Sequence, residues 1–104
     1  MQINPFEDKP SLEELVKIVS INTLRIRMEY GLSTKELAEA IGSYYQVIQR
    51  IENGKGRYKN SESINVPSLP ILLKISNVCN VCITEFFKPI PCQKTVQYIN
   101  IPEL

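Results

Sequence analysis

Two short helical segments on either side of a glycine are the feature that most constrains this chain. Residues 33–36 read Ser-Thr-Lys-Glu, a serine followed three residues later by a glutamate, which is the capping-box pattern of a helix start. Each segment carries an apolar stripe at helical spacing: Leu37, Ala38 and Ile41 in the first, and Val47, Ile48 and Ile51 in the second. Gly42 between them accepts the positive φ of a tight turn. The pattern predicts two helices that cross closely, with the small Ala38 at their contact.

The N-terminal part of the chain also has a helical pattern. Ser11 and Glu14 form another capping box, and apolar residues then recur at helical spacing as far as residue 30. The pattern does not decide whether residues 11–30 form one helix or two, because Ser20 and Asn22 could each cap a break.

Beyond the second helix, a long polar loop over residues 54–67 exceeds the usual connection of roughly 2–8 residues between helices. Ser68 is expected to cap the helix that follows, and residues 84–87 to form one more short turn. Residues 95–101 alternate β-branched and aromatic residues, which predicts a strand. An isolated strand is unstable, so we expect it to pair with residues 2–4 or with its own copy across a dimer axis.

The amino-acid composition excludes several classes of function. The 104 residues contain no histidine, which removes histidine-based catalysis and metal ligation, and no other constellation of catalytic side chains is evident. The net charge is only +1, so nucleic-acid binding would need a local basic patch. No apolar run is long enough to span a membrane, and the N-terminus lacks the pattern of a signal peptide. We therefore expect a cytoplasmic protein with no enzymatic activity, no cofactor and no membrane association.

Cys79 and Cys82 form a C-x-x-C pair, but the chain offers only Cys92 as a third sulfur ligand. Because a structural zinc site needs four ligands, we expect no metal. The alternative is a structural role, in which these cysteines pack as small apolar residues or lie at helix ends. Asn80 would then end a helix in a left-handed conformation.

These segments together resemble the XRE-type (Cro and phage-repressor-like) helix-turn-helix family. The resemblance is carried by residues 31–42, 48–55, 72–75 and 81–87, and it covers about residues 21–88. It implies a mostly α-helical, compact five-helix bundle, here with an N-terminal helical extension (1–20) and a C-terminal tail (89–104) that holds the short strand. It also implies binding to double-stranded DNA, most often as a homodimer and as a repressor.

The resemblance assigns roles by position. The recognition helix would be residues 45–53, and its N-terminal residues would enter the major groove. The implied base-contacting residues are Tyr45, Gln46, Gln49 and Arg50. The residues implied to contact the DNA backbone are Thr34, Lys35, Lys55, Arg57 and Lys59. The family usually caps this helix with Ser or Thr at the position of Tyr44, which leaves open a shift of the helix start with Ser43 as the cap. It also implies a structural ion pair between Arg27 and Glu52.

We expect a sequence-specific transcriptional regulator that binds a two-fold symmetric operator. Two alternatives stay open: an antitoxin that represses its own operon together with a toxin partner, and a protein-interaction module that has lost DNA binding. If the predicted strand does not form the dimer, Phe86 and Phe87 are the next expected dimer contacts.

Overall fold

The computed structural model describes residues 4–54 and 65–89. Within these ranges the chain forms four α-helices and one 3-10 helix and contains no strand. The elements follow in the order α1 (Leu12–Tyr30), α2 (Thr34–Ala40), α3 (Tyr45–Asn53), α4 (Leu69–Cys79) and the 3-10 helix (Ile83–Phe87). The domain is thus all-α, as expected, but its fifth element is a 3-10 helix rather than an α-helix. The predicted strand at 95–101 lies outside the described residues.

One unbroken helix, α1, accounts for both the predicted extension and the first helix of the bundle. Ser20 Oγ donates a hydrogen bond to the Val16 carbonyl at 2.8 Å, so this hydroxyl is used inside the helix instead of at a cap. Asn22 Nδ2 donates to the carbonyls of Phe86 at 2.9 Å and Lys88 at 3.0 Å. The two residues that could have capped a break are therefore occupied by other partners.

Side-chain caps define the helix starts that the sequence predicted. Ser11 and Glu14 exchange the two hydrogen bonds of a capping box at 3.2 and 2.9 Å, and Ser33 and Glu36 do so at 3.1 and 2.9 Å. Ser68 Oγ accepts a bond from the Ile71 amide at 3.4 Å at the start of α4. These predictions are confirmed, because such bonds depend on residues only three positions apart.

The core gathers residues from every helix. Its buried members include Val19 and Ile26 of α1, Leu37 and Ala38 of α2, Ile48 and Ile51 of α3, Ile75 of α4 and Phe86 of the 3-10 helix. Phe86 is fully buried, and Phe87 packs partly against the same core. Phe86 as a dimer contact is thus wrong: the 3-10 helix turns this ring inward, where it fills the space beside α1.

Candidate nucleic-acid interface

The interface is built on the tight connection between α2 and α3. α2 ends at Ala40, and the Ser43 amide then donates to the Ala38 carbonyl at 2.8 Å, which turns the chain back sharply. Gly42 takes φ +71° in this turn, as the sequence predicted. Ala38 is buried where the helices pack, so a small side chain lets them approach closely. The two helices form a helix-turn-helix.

α3 spans Tyr45–Asn53, the bounds that were predicted for the recognition helix. Ile48 and Ile51 point into the core and are almost completely buried. The opposite face carries side chains spaced by three and four residues, which places them in one row along the helix. This row consists of Gln46, Gln49, Arg50 and Asn53.

The side chains of Gln46, Gln49 and Arg50 make no hydrogen bond or ion pair with another described residue. Gln46 is exposed, and Gln49 and Arg50 are partly exposed. Amide and guanidinium groups are the donors and acceptors that pair with base edges in the major groove. The row therefore presents unused hydrogen-bonding groups of the type that reads DNA sequence.

Two tyrosines lie at the start of α3. Tyr44 is the N-cap residue but makes no side-chain cap, and its side chain is 77% exposed. The shift of the helix start to Ser43, which the sequence left open, does not occur, because Tyr44 is the N-cap residue and α3 begins at Tyr45. The Tyr45 ring lies beneath the Lys35 ammonium, with Nζ 5.4 Å from the ring centroid, a cation–π distance. Lys35 is thus held beside the N-terminal end of α3.

The residues predicted to contact the DNA backbone differ in exposure. Lys35 is exposed at the second position of α2. Thr34, by contrast, is only 4% exposed, and this burial weighs against a phosphate contact. The other three residues, Lys55, Arg57 and Lys59, lie outside the described residues.

A buried ion pair fixes the far end of α3 on α1. Arg27 Nε and Nη2 bind the Glu52 carboxylate at 2.6 and 3.0 Å, and both side chains are almost completely buried. Arg27 Nη1 also donates to the Leu32 carbonyl at 2.9 Å, in the connection before α2. The implied structural pair is confirmed. This bidentate geometry orients α3 relative to α1 and α2.

A cleft of about 430 Å³ opens beside the recognition helix, between α3 and the chain that enters α4. It is lined by residues of both segments: Val47, Arg50, Ile51, Asn65, Val66, Pro67, Ser68 and Ile71. Arg50 therefore belongs to the polar row of α3 and also lines this cleft.

The cysteines take the places expected of structural residues. Cys79 is buried in the core, and burial raises the pKa of its thiol. Asn80 ends α4 with φ +54°, as expected. Cys82 is exposed before the 3-10 helix, and a hydrogen bond from the Thr84 hydroxyl at 3.2 Å lowers the pKa of its thiol. The described ranges bring no three Cys, Asp or Glu side chains together as metal ligands.

Asn53 shares the polar row of α3 but was not among the predicted base-contacting residues. It is exposed at the last position of α3, in the same row as Gln46. The signal was present in the sequence, because a spacing of seven residues returns to the same helix face after two turns.

Comparison with protein-family models places the chain in a known family. A helix-turn-helix model matches residues 24–86, well over half of the chain. The chain belongs to the XRE/Cro-like helix-turn-helix family, a DNA-binding family whose members are typically not enzymes. Comparison with curated proteins and with solved structures found no match. None of the helices within residues 4–54 and 65–89 combines the length and apolar character that a membrane span requires.

Proposed function

We propose that this protein is a sequence-specific DNA-binding transcriptional regulator that acts as a cytoplasmic repressor. The observation that carries the proposal is the polar row on α3, held outward by Ile48 and Ile51, whose amide and guanidinium groups have no partners among the described residues. Membership of a DNA-binding family supports the same conclusion.

In the proposed complex, α3 enters the major groove with its N-terminal residues toward the bases. Gln46 and Gln49 would pair with adenine, and Arg50 with guanine, since these side chains match those base edges in two places. Tyr45 would contact a base edge beside them while its ring supports Lys35. Lys35, Lys55, Arg57 and Lys59 would bind phosphates, whereas the buried Thr34 takes no part.

The regulator would bind a two-fold symmetric operator as a homodimer. A helix of nine residues contacts few base pairs, so one copy cannot supply the specificity ratio that a genome requires. Two copies on symmetric half-sites double the number of bases read.

Selection of bound duplexes from a random DNA pool tests this function. The expected result is enrichment of an inverted repeat, together with binding that weakens steeply as salt rises. Failure to bind any duplex at low salt would contradict the proposal and favour a protein-interaction module.

A further inference from the structure

The cleft beside the recognition helix combines apolar and polar walls, and we call it the α3–α4 cleft. Part of its lining is apolar: Ile51 is buried, and Val47 and Ile71 are partly buried against the core. The polar side chains of Arg50 and Ser68 line the same cleft. Its volume of about 430 Å³ lies within the range of roughly 300–1,000 Å³ that is usual for small-molecule sites. Such sites also combine apolar walls with a few polar groups.

Arg50 gives the α3–α4 cleft a positive charge. Its guanidinium makes no hydrogen bond or ion pair with another described residue. None of the described residues that line the cleft is acidic. Arg50 is only partly exposed, so solvent and salt screen its charge less than that of a fully exposed lysine. An anion in the cleft therefore gains an ion pair without displacing a described side chain.

Ser68 adds a hydrogen-bond donor at the start of α4. Its Oγ accepts a bond from the Ile71 amide at 3.4 Å, and its own hydroxyl proton makes no bond to another described residue. The same end of this helix of 11 residues carries the positive end of the helix dipole. Both features favour a negative charge in the cleft that Arg50 also lines.

A backbone contact holds one wall of the α3–α4 cleft in place. The Asn65 amide donates to the Gly54 carbonyl at 3.5 Å, which joins residues 65–68 to the C-terminal end of α3. Ser68 then caps α4 and fixes the start of that helix. Because these contacts are already formed, a ligand need not order this wall when it binds.

We propose that the α3–α4 cleft binds a small organic carboxylate with an apolar body, and that this ligand competes with DNA for Arg50. The carboxylate accepts two parallel hydrogen bonds from the guanidinium. The apolar body lies against Val47, Ile51 and Ile71. Arg50 is the single cationic group among the described lining residues, which matches the one charge of a carboxylate better than the two charges of a phosphate monoester.

The competition with DNA rests on the proposed function, in which Arg50 pairs with guanine. A guanine edge also takes two parallel hydrogen bonds from an arginine, so one guanidinium cannot serve the carboxylate and the base together. Each ligand then lowers the affinity of the protein for the other by the same factor. The carboxylate acts as an inducer that releases the operator.

Binding is tested first on the full chain without DNA. The probe is phenylacetate. Phenylacetamide lacks its charge, and acetate lacks its apolar body. Amide NMR spectra of the isotope-labelled chain should show saturable shifts at residues 47–51 and 65–71 with phenylacetate. Both matched compounds should bind at least about tenfold more weakly. Equal binding of phenylacetate and phenylacetamide, or no saturable shift up to about 10 mM phenylacetate, overturns the site.

Two variants locate the site. Arg50→Gln should lose at least about tenfold in affinity for phenylacetate. Lys74→Gln removes the same charge from an exposed position of α4 that is not among the described lining residues, and it should bind phenylacetate as the wild type does. Val66 is 57% exposed and lines the cleft, so Val66→Trp narrows the cleft without disturbing the core and should also weaken binding. Binding that survives both Arg50→Gln and Val66→Trp overturns the site.

Competition is measured with the selected operator at constant ionic strength, with acetate as the control anion. At a phenylacetate concentration ten times its dissociation constant, the operator affinity of the wild type should fall about tenfold. The operator affinity of Val66→Trp should not respond to phenylacetate. An unchanged operator affinity of the wild type overturns the competition. If no duplex is selected but phenylacetate binds through Arg50, the carboxylate site stands and the proposed function fails.

Discussion

At the scale of single residues, Gly54 decides how closely α3 approaches α1. It ends α3 with φ +67°, and a Cβ built on it would lie 2.9 Å from Ser20 Oγ. Ser20 cannot easily move away, because its hydroxyl is bound to the Val16 carbonyl. The end of the recognition helix is thus seated directly on the middle of the first helix.

Gly54→Ala should destabilise the protein more than Gly42→Ala. Gly42 has a similar φ of +71°, but a Cβ added there would meet nothing within 4 Å. The loss of unfolding free energy in Gly42→Ala therefore reports the backbone strain alone, about 1–2 kcal/mol. The contact with Ser20 should add roughly 1–3 kcal/mol of overpacking. Urea denaturation measures both free energies of unfolding.

Ser20→Ala provides the internal check. Combined with Gly54→Ala, it removes the Oγ that the new Cβ would meet. The double variant should therefore recover most of the unfolding free energy that Gly54→Ala loses beyond Gly42→Ala. Equal losses for the two glycine variants would show that the contact relaxes without cost.

At the scale of elements, α3 has two ends with different supports. Its C-terminal end is fixed by Gly54 and by the Arg27–Glu52 pair, which is buried and bidentate. Its N-terminal end has no side-chain cap and carries the exposed Tyr44. The helix is thus anchored at its C-terminal end, and its polar row stays accessible from the N-terminal end.

Arg50→Ala and Gln46→Ala should each weaken binding to the selected operator by about 1–3 kcal/mol and relax the preference at one base pair. Neither side chain bonds to another described residue, so the thermal midpoint should change little. Fluorescence anisotropy with the operator and single-base variants measures the effect. Lys17→Ala, which removes an exposed lysine from α1, is the control. Wild-type affinity in both variants would exclude α3 as the reading helix.

At the scale of the whole molecule, the position of charge matters more than its total. The net charge is +1, yet residues 44–60 carry four basic residues against Glu52 alone, a local net charge of +3. Arg27 neutralises Glu52 in their ion pair. The remaining basic residues therefore give a positive electrostatic potential along the recognition helix. The role of the 89–104 tail as a dimerisation strand stays a prediction.

The combined change of Lys55, Arg57 and Lys59 to Ala should make binding less sensitive to salt. Each lost phosphate contact lowers the slope of log affinity against log salt by roughly 0.9. A triple alanine variant of Lys9, Lys17 and Lys74 removes the same charge from exposed positions elsewhere and should leave the slope nearly unchanged. If both variants shift the slope equally, the effect comes from net charge and the loop makes no specific contact.

Much of this fold follows from local rules that the sequence displays. The starts of α1, α2 and α4 depend on serines that bond three residues ahead, and the turn at Gly42 depends on one backbone conformation. The bounds of α3 and its candidate base-contacting residues were implied by the family resemblance, and helical periodicity adds that Gln46, Gln49 and Arg50 share one face.

Contacts between distant residues decided the rest. Asn22, which could have capped a break in α1, instead bonds to carbonyls 64 and 66 positions away, which no local pattern reveals. Packing buried Thr34 and left Tyr44 exposed, although both lie at helix starts that look alike in the sequence. Packing also decides which side of α4 is buried. Its sequence is apolar on several sides. Only the tertiary structure shows that Leu72 and Ile75 face the core while Leu69 and Leu73 face outward. Helical periodicity gives the relative directions of side chains, but the neighbours that cover them are set by the tertiary fold.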